Sequence, residues 1–231
     1  MKYFTKKEIA LWSGSALLII GSFMIFDREN YMTLVASLIG VTSIIINAKG
    51  NPLGQCLMIG FSLIYGMISY SCAYYGEMIT YLGMTMPMAV FALISWLRNP
   101  YNGNRAEVKV NQIGKKETVL MWLGTGVVTV IFYYVLVYFH TANIIPSTIS
   151  VTTSFVAVYL TFRRSPFFSL AYAANDVVLI VLWVLACRED IRYVSVVVCF
   201  VAFLVNDMYG FYSWNKMEKR QRVCYNCKHE S

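Results

Sequence analysis

Eight apolar stretches follow one another along this chain: residues 11–26, 31–47, 53–75, 78–98, 118–139, 144–162, 167–187 and 193–214. A membrane-spanning helix needs about 20 predominantly apolar residues. In lipid every backbone polar group must be paired internally, which restricts such stretches to helices. The first two are short by this measure, and the other six are long enough. Charged residues make up 13% of the chain and hydrophobic residues 58%, where soluble domains carry about 25% charged. The expectation is an all-α integral membrane protein of about eight transmembrane helices. Lys2, Lys6 and Lys7 precede the first stretch as in a secretory signal. That stretch ends Phe26-Asp27-Arg28-Glu29, without a small-residue cleavage pattern, so it reads as a retained helix.

Cationic side chains orient multi-pass proteins, with Lys and Arg kept in the cytoplasm. With eight spans and a cytoplasmic N-terminus, every Lys and Arg except Arg28, Arg188 and Arg192 lies inside, and both termini are cytoplasmic. The net charge of +7 is then a topology signal, and no nucleic-acid partner is expected. The longest polar connection, RNPYNGNRAEVKVNQIGKK from Arg98 to Lys116, reads as a basic cytoplasmic loop.

That loop divides two halves that resemble each other. Asn47-Ala48-Lys49-Gly50-Asn51-Pro52 precedes the third span, and Thr161-Phe162-Arg163-Arg164-Ser165-Pro166 precedes the seventh. An acidic turn follows in each half (Glu77; Glu189-Asp190), and each last span ends in Ser-Trp (Ser95-Trp96; Ser213-Trp214). The offset is 113 to 118 residues throughout. The halves read as a 3+1+3 parallel repeat: an extra N-terminal helix in 1–28, a first repeat in 29–98, the loop and connector helix in 99–143, a second repeat in 144–216 and a tail in 217–231. Parallel repeats place a substrate site between them near the bilayer midplane.

Asn175-Asp176 and Asn206-Asp207 lie deep in the last two spans. A carboxyl group at bilayer depth costs about 2.5–3.5 kcal/mol on insertion scales and is kept only beside a partner, a bundle interior or a water-filled path. Helical spacing aligns Phe168, Tyr172, Asn175 or Asp176, Leu179 and Trp183 on one stripe. In span eight Phe203, Asn206 or Asp207, Gly210 and Trp214 align likewise, and in span three Gln55, Met58, Ser62, Tyr65 and Ser69. Span four carries Thr80, Tyr81, Thr85 and Pro87, and Pro87 frees the carbonyl of Gly83. The reading is a central cavity where Asp176, Asp207, Asn175 and Asn206 orient a polar ligand, with Gln55 and Ser62 beside them. Tyr172, Phe168 and Tyr65 would stack on a flat one. The alternative is that the carboxyl groups join helices structurally.

No Lys or Arg falls in mid-span, which disfavours a phosphorylated substrate, since phosphate calls for a cationic clamp. No phosphate-loop or G-x-S-x-G motif is present. No catalytic residues, cofactor or metal are expected. Cys224-x-x-Cys227 with nearby His229 is half a zinc motif without its second pair and reads as reduced thiols in a loose tail.

These residues resemble the PnuC family of bacterial nicotinamide riboside transporters. The resemblance runs from about residue 30 to 216. It is carried by YYGEMITYLGMTMPMAVFALISWLRNPYNGN and by FRRSPFFSLAYAANDVVLIVLW followed by NDMYGFYSWNK. It implies a SWEET-like parallel-repeat bundle in the bacterial cytoplasmic membrane, a homotrimer, and facilitated diffusion of nicotinamide riboside trapped by a cytosolic kinase. One family feature is missing. The W-x-x-W ahead of an intramembrane Asp is replaced by Ser169 and Tyr172, or by Phe168 and Ala171, depending on alignment. Related carriers of thiamine or deoxynucleosides, proton-coupled uptake, and a non-transporting scaffold or sensor stay as alternatives.

Overall fold

The computed structural model describes residues 3–71, 75–141 and 143–229, with side chains described as far as Cys224. Nine α-helices occupy these residues: α1 (Lys6–Phe26), α2 (Tyr31–Asn47), α3 (Leu53–Ser71), α4 (Tyr75–Ile79), α5 (Met86–Leu97), α6 (Lys115–Tyr138), α7 (Ile144–Phe162), α8 (Phe168–Ala186) and α9 (Val194–His229). A π-helical segment, Thr80–Thr85, joins α4 to α5, so these three form one span. Seven helices are long and apolar enough to cross a membrane, and α2 is a shorter apolar helix. Much of the apolar surface of α6 faces outward, including Leu120, Leu123, Val127 and Tyr134. Such a surface suits lipid and would be costly in water.

Helix α1 is longer than its apolar stretch. Thr5 caps it by accepting from the Glu8 backbone N–H, while the Glu8 carboxylate accepts from the Thr5 N–H at 2.7 Å. This reciprocal box starts the helix at Lys6. Glu8 also accepts from Lys49 Nζ at 3.0 Å and from the Tyr209 hydroxyl at 2.9 Å. One carboxylate thereby ties α1 to the α2–α3 turn and to α9.

The bundle packs α8 on α9, α2 on α3 and α7 on α8, with α5 against α3 and α7. The two turns that look alike in sequence also look alike in structure. Gly50 and Arg164 both take positive φ, at 68° and 58°. Each ends its helix with matching backbone bonds, Gly50 N to Asn47 O and Arg164 N to Thr161 O. Arg164 adopts a left-handed conformation that favours glycine. Burial pulls its guanidinium down from the ordinary arginine range, and the like charge of Arg163 adds to this. The Ser-Trp pairs bond crosswise. Ser95 Oγ and Trp96 Nε1 donate to the carbonyls of Phe162 and Thr161, at 2.9 Å each. Ser213 Oγ and Trp214 Nε1 donate to those of Ala48 and Asn47, at 2.7 and 2.8 Å.

Two parts of the chain differ from the sequence reading. The basic loop is not irregular: β1 (Pro100–Tyr101) and β2 (Asn104–Val108) form an antiparallel hairpin. Its turn, Asn102-Gly103, has positive φ at both residues, as Asn-Gly hairpin turns require. The tail after residue 216 is not loose either, because α9 runs on unbroken to His229. Gln221 on this extension accepts from Val110 N at 2.8 Å and donates to Val108 O. These bonds give the extra turns a protein surface to lie on. Cys224 is a free thiol; the side chains of Cys227 and His229 lie outside the described residues.

Close packing at the α2–α3 turn gives a direct test. A Cβ at Gly54 would stand 2.2 Å from Asn47 Oδ1 and 2.8 Å from the Asn47 backbone nitrogen. Backbone cannot swing aside, and overpacking costs about 1–3 kcal/mol. Gly54→Ala is expected to lower the melting temperature in detergent, whereas Gly60→Ala, with open space around its Cβ, is expected not to.

Candidate functional site

Between the halves lies a cavity lined from α2 (Gly40, Asn47), α3 (Met58, Phe61), the π segment (Tyr81, Thr85), α7 (Ser154), α8 and α9. The π segment ends just before Pro87. Proline lacks an N–H and its ring excludes the carbonyl four residues back, at Gly83. The widened turn absorbs this and sets Tyr81 and Thr85 on the cavity wall. π-Turns recur at functional sites.

Helix α8 contributes Phe168, Tyr172, Asn175, Asp176 and Leu179, and α9 contributes Phe200, Phe203 and Asp207. Asp176 and Asp207 both line this cavity, from the packed helices α8 and α9. Asp176 Oδ2 is buried with no partner among the described residues. An acceptor left bare in apolar surroundings costs about 1–3 kcal/mol, so a donor or cation at this oxygen is favoured.

Asn175 also faces the cavity, but its carbonyl oxygen is already used. It accepts from Thr153 Oγ1 at 2.7 Å, Ser154 Oγ at 3.1 Å and Ser150 Oγ at 3.3 Å. These α7 hydroxyls fix the amide and leave its NH₂ free to donate to a ligand. Tyr172 lines the same wall.

The other expected site residues fall elsewhere. Asn206 is fully buried and faces α1: its NH₂ donates to Ser15 Oγ and to Ala202 O, each at 2.7 Å. One residue along a helix is about 100° of rotation, and here that step turns Asn206 to α1 while Asp207 lines the cavity. Gln55 donates to Asn47 Oδ1 at 2.9 Å and so braces a lining residue without lining the cavity itself. Ser62 is fully buried outside the lining, and its hydroxyl has no partner among the described residues. Gly40, Asn47, Phe61, Ser154 and Phe200 line the cavity and were not singled out from sequence.

Aromatic layers close both ends. Toward the turns, Phe168 packs edge-on to Trp214 at 4.9 Å, and Trp214 lies 5.3 Å from Trp96. Toward the other face, Tyr65 sits 4.6 Å from Tyr81 and 5.5 Å from Phe61, with Phe200 at 6.3 Å. Tyr65 is thus part of a closing layer and does not line the cavity. Only about 50 Å³ stays open between the layers. Small-molecule sites run from about 300 to 1,000 Å³, so the cavity as it stands is smaller than that class.

A family model described as nicotinamide mononucleotide transporter matches residues 30–216. The chain belongs to that family of membrane transporters. The match takes in every cavity residue from Gly40 to Asp207 and leaves α1 outside. Among curated relatives, the nicotinamide riboside transporter PnuC of Neisseria mucosa is 24% identical over 216 residues, covering 91% of this chain and 82% of its own. The protein of the same name from Haemophilus influenzae is 23% identical, with 83% and 82% covered. A crystal structure of the vitamin B3 transporter PnuC superposes with a TM-score of 0.81 at 21% identity, covering 94% of both chains. The family fold is therefore shared.

Proposed function

We propose that the chain carries nicotinamide riboside across the bacterial cytoplasmic membrane by facilitated diffusion, with cytosolic phosphorylation trapping what enters. The observation that carries this reading is that Asp176 and Asp207 together line an aromatic-walled cavity without a Lys or Arg in its lining. The pyridinium ring of the riboside is flat and cationic. Carboxyl groups and aromatic faces both attract such a ring, and the Asn175 NH₂ is placed to meet the ligand's amide or ribose oxygens.

The family description speaks of a mononucleotide, while the relatives' names speak of the riboside. The two differ by one phosphate. Phosphate sites use Arg or Lys, and a phosphate beside the Asp pair would add repulsion. This favours the riboside.

Several observations support the finer architecture. The crosswise Ser-Trp bonds and the matched Gly50 and Arg164 turns are what a parallel 3+1+3, SWEET-like repeat would produce, with α6 as connector and α1 outside the symmetry. Lys49, Arg98, Arg163 and Arg164 share one face with the hairpin, which supports cytoplasmic termini. Homotrimeric assembly belongs to the same proposal.

The test is uptake of labelled nicotinamide riboside into liposomes holding the purified protein, without ATP or an ion gradient. Saturable uptake is expected, and a hundredfold excess of the mononucleotide is expected to leave it unchanged. Uptake absent from liposomes with intact protein overturns the reading and moves the search to thiamine and deoxynucleosides. A second reading keeps the site and changes the energetics, because two buried carboxyl groups in one cavity suit proton-linked uptake. Rates indifferent to an imposed pH gradient would remove it.

A further inference from the structure

Beyond the Tyr65 layer, on the face away from the termini, lies a second and larger cavity of about 360 Å³. Three carboxylates line it, Asp27, Glu29 and Asp190, against one cation, Arg192. Its aromatic wall is made by Trp183 and Tyr193, whose ring centroids are 5.2 Å apart at 52°, and by Tyr65. Tyr65 and Trp183 are 6.5 Å apart and edge to face. Tyr65 packs on Tyr81, which lines the central cavity. The two cavities are thus separated by a layer of rings.

Arg192 does not neutralise this space. It pairs with Asp190 at 2.7 Å and stands 3.7 Å from Glu29, so one cation faces three carboxylates, and Asp27 feels it only at longer range. Asp27 is only 6% exposed, yet its carboxylate has a single hydrogen bond among the described residues, a long one of 3.3 Å from Asn30 N. A nearly buried carboxylate with so little compensation is unfavourable unless a cation or donor comes to it. Carboxylates in a cleft with low-dielectric walls also focus the field and concentrate cations at its mouth.

We propose that this vestibule is a capture site for flat organic cations, which it holds between its carboxylates and the Trp183–Tyr193 wall before the Tyr65 layer opens. The inference rests on the transport reading above and adds a second binding site to it. Loading becomes a two-step event: the cation docks by charge and ring contact at the outer site, then passes the rings to Asp176 and Asp207.

The experiment uses the full chain in liposomes with nicotinamide riboside as probe, and compares Vmax/KM at about 0.01 M and about 1 M salt, where the Debye length is roughly 30 Å and 3 Å. Asp27→Asn with Asp190→Asn keeps shape and leaves an oxygen to accept from Arg192 N, while removing two charges and the Asp190–Arg192 ion pair. It is expected to lower Vmax/KM about tenfold at low salt, the lower end for field focusing, and to match the wild type within about twofold at high salt. Arg192→Gln is expected to act in the opposite direction, raising Vmax/KM several-fold at low salt. A carboxylate defect of the same size at both salt levels would show a structural role and overturn the capture site, as would no defect at all. Wild-type liposomes without saturable uptake would instead overturn the transport reading, and this one with it.

Discussion

Replacing Asp176 or Asp207 by Asn is expected to cut nicotinamide riboside uptake by roughly 30- to 100-fold, and replacing both to abolish saturable uptake. The size follows from losing a charge-assisted contact, worth about 1.5–3 kcal/mol. Asn is close in shape to Asp, so the substitution isolates charge from packing. Stability should move the other way. A neutral pair at bilayer depth avoids the cost of a buried carboxylate, so the melting temperature of the double variant in detergent should hold or rise. Uptake and stability measured on one preparation therefore separate the two roles. If the carboxyl groups were helix glue alone, uptake would survive wherever the fold does.

Trp96→Ala and Trp214→Ala are expected to destabilise the protein by about 3–5 kcal/mol each, the usual cost of deleting a fully buried large aromatic. Both rings are completely buried, touch each other and touch Phe168. Because they share a contact, the double variant should lose less than the sum of the two. The Phe variants keep most of the volume but leave a backbone carbonyl without its indole N–H, so about 1 kcal/mol is expected there. Thermal unfolding of the six proteins checks this series. Ala variants that unfold like the wild type would mean that the layer contributes nothing to stability.

The bundle was legible because its signals are local. Apolar length marked the spans, and Pro87 marked the place where helix geometry changes. The membrane carboxyl groups were legible because lipid makes them conspicuous. The sequence could not say which member of each Asn-Asp pair faces inward, since adjacent residues differ by a rotation that only packing settles. Asn175 and Asp176 both reach the cavity, whereas Asn206 turns to Ser15 on α1. Gly40 and Phe61 were hidden for another reason: an apolar residue on a cavity wall looks like any core residue. The repeat offset held an unused clue, because Gly40 and Ser154, Met58 and Tyr172, and Phe61 and Asn175 are lining pairs at equal spacing. The hairpin was missed because strands this short carry almost no periodicity, although Asn102-Gly103 pointed to the turn.

The linker between the halves does more than connect them. Val108 N donates to Gly50 O, and Asn111 N donates to Arg164 O, at 2.9 and 3.0 Å. One short segment is therefore sewn to the hem of both halves, and Gln221 pins it from α9. Add the four crosswise Ser and Trp bonds, and that end of the molecule is a clasp with interlocking teeth. Parting it by a small amount gains no room for a ligand while already straining every tooth. Opening on that side is therefore expected to be a concerted unfastening, in which these bonds part together.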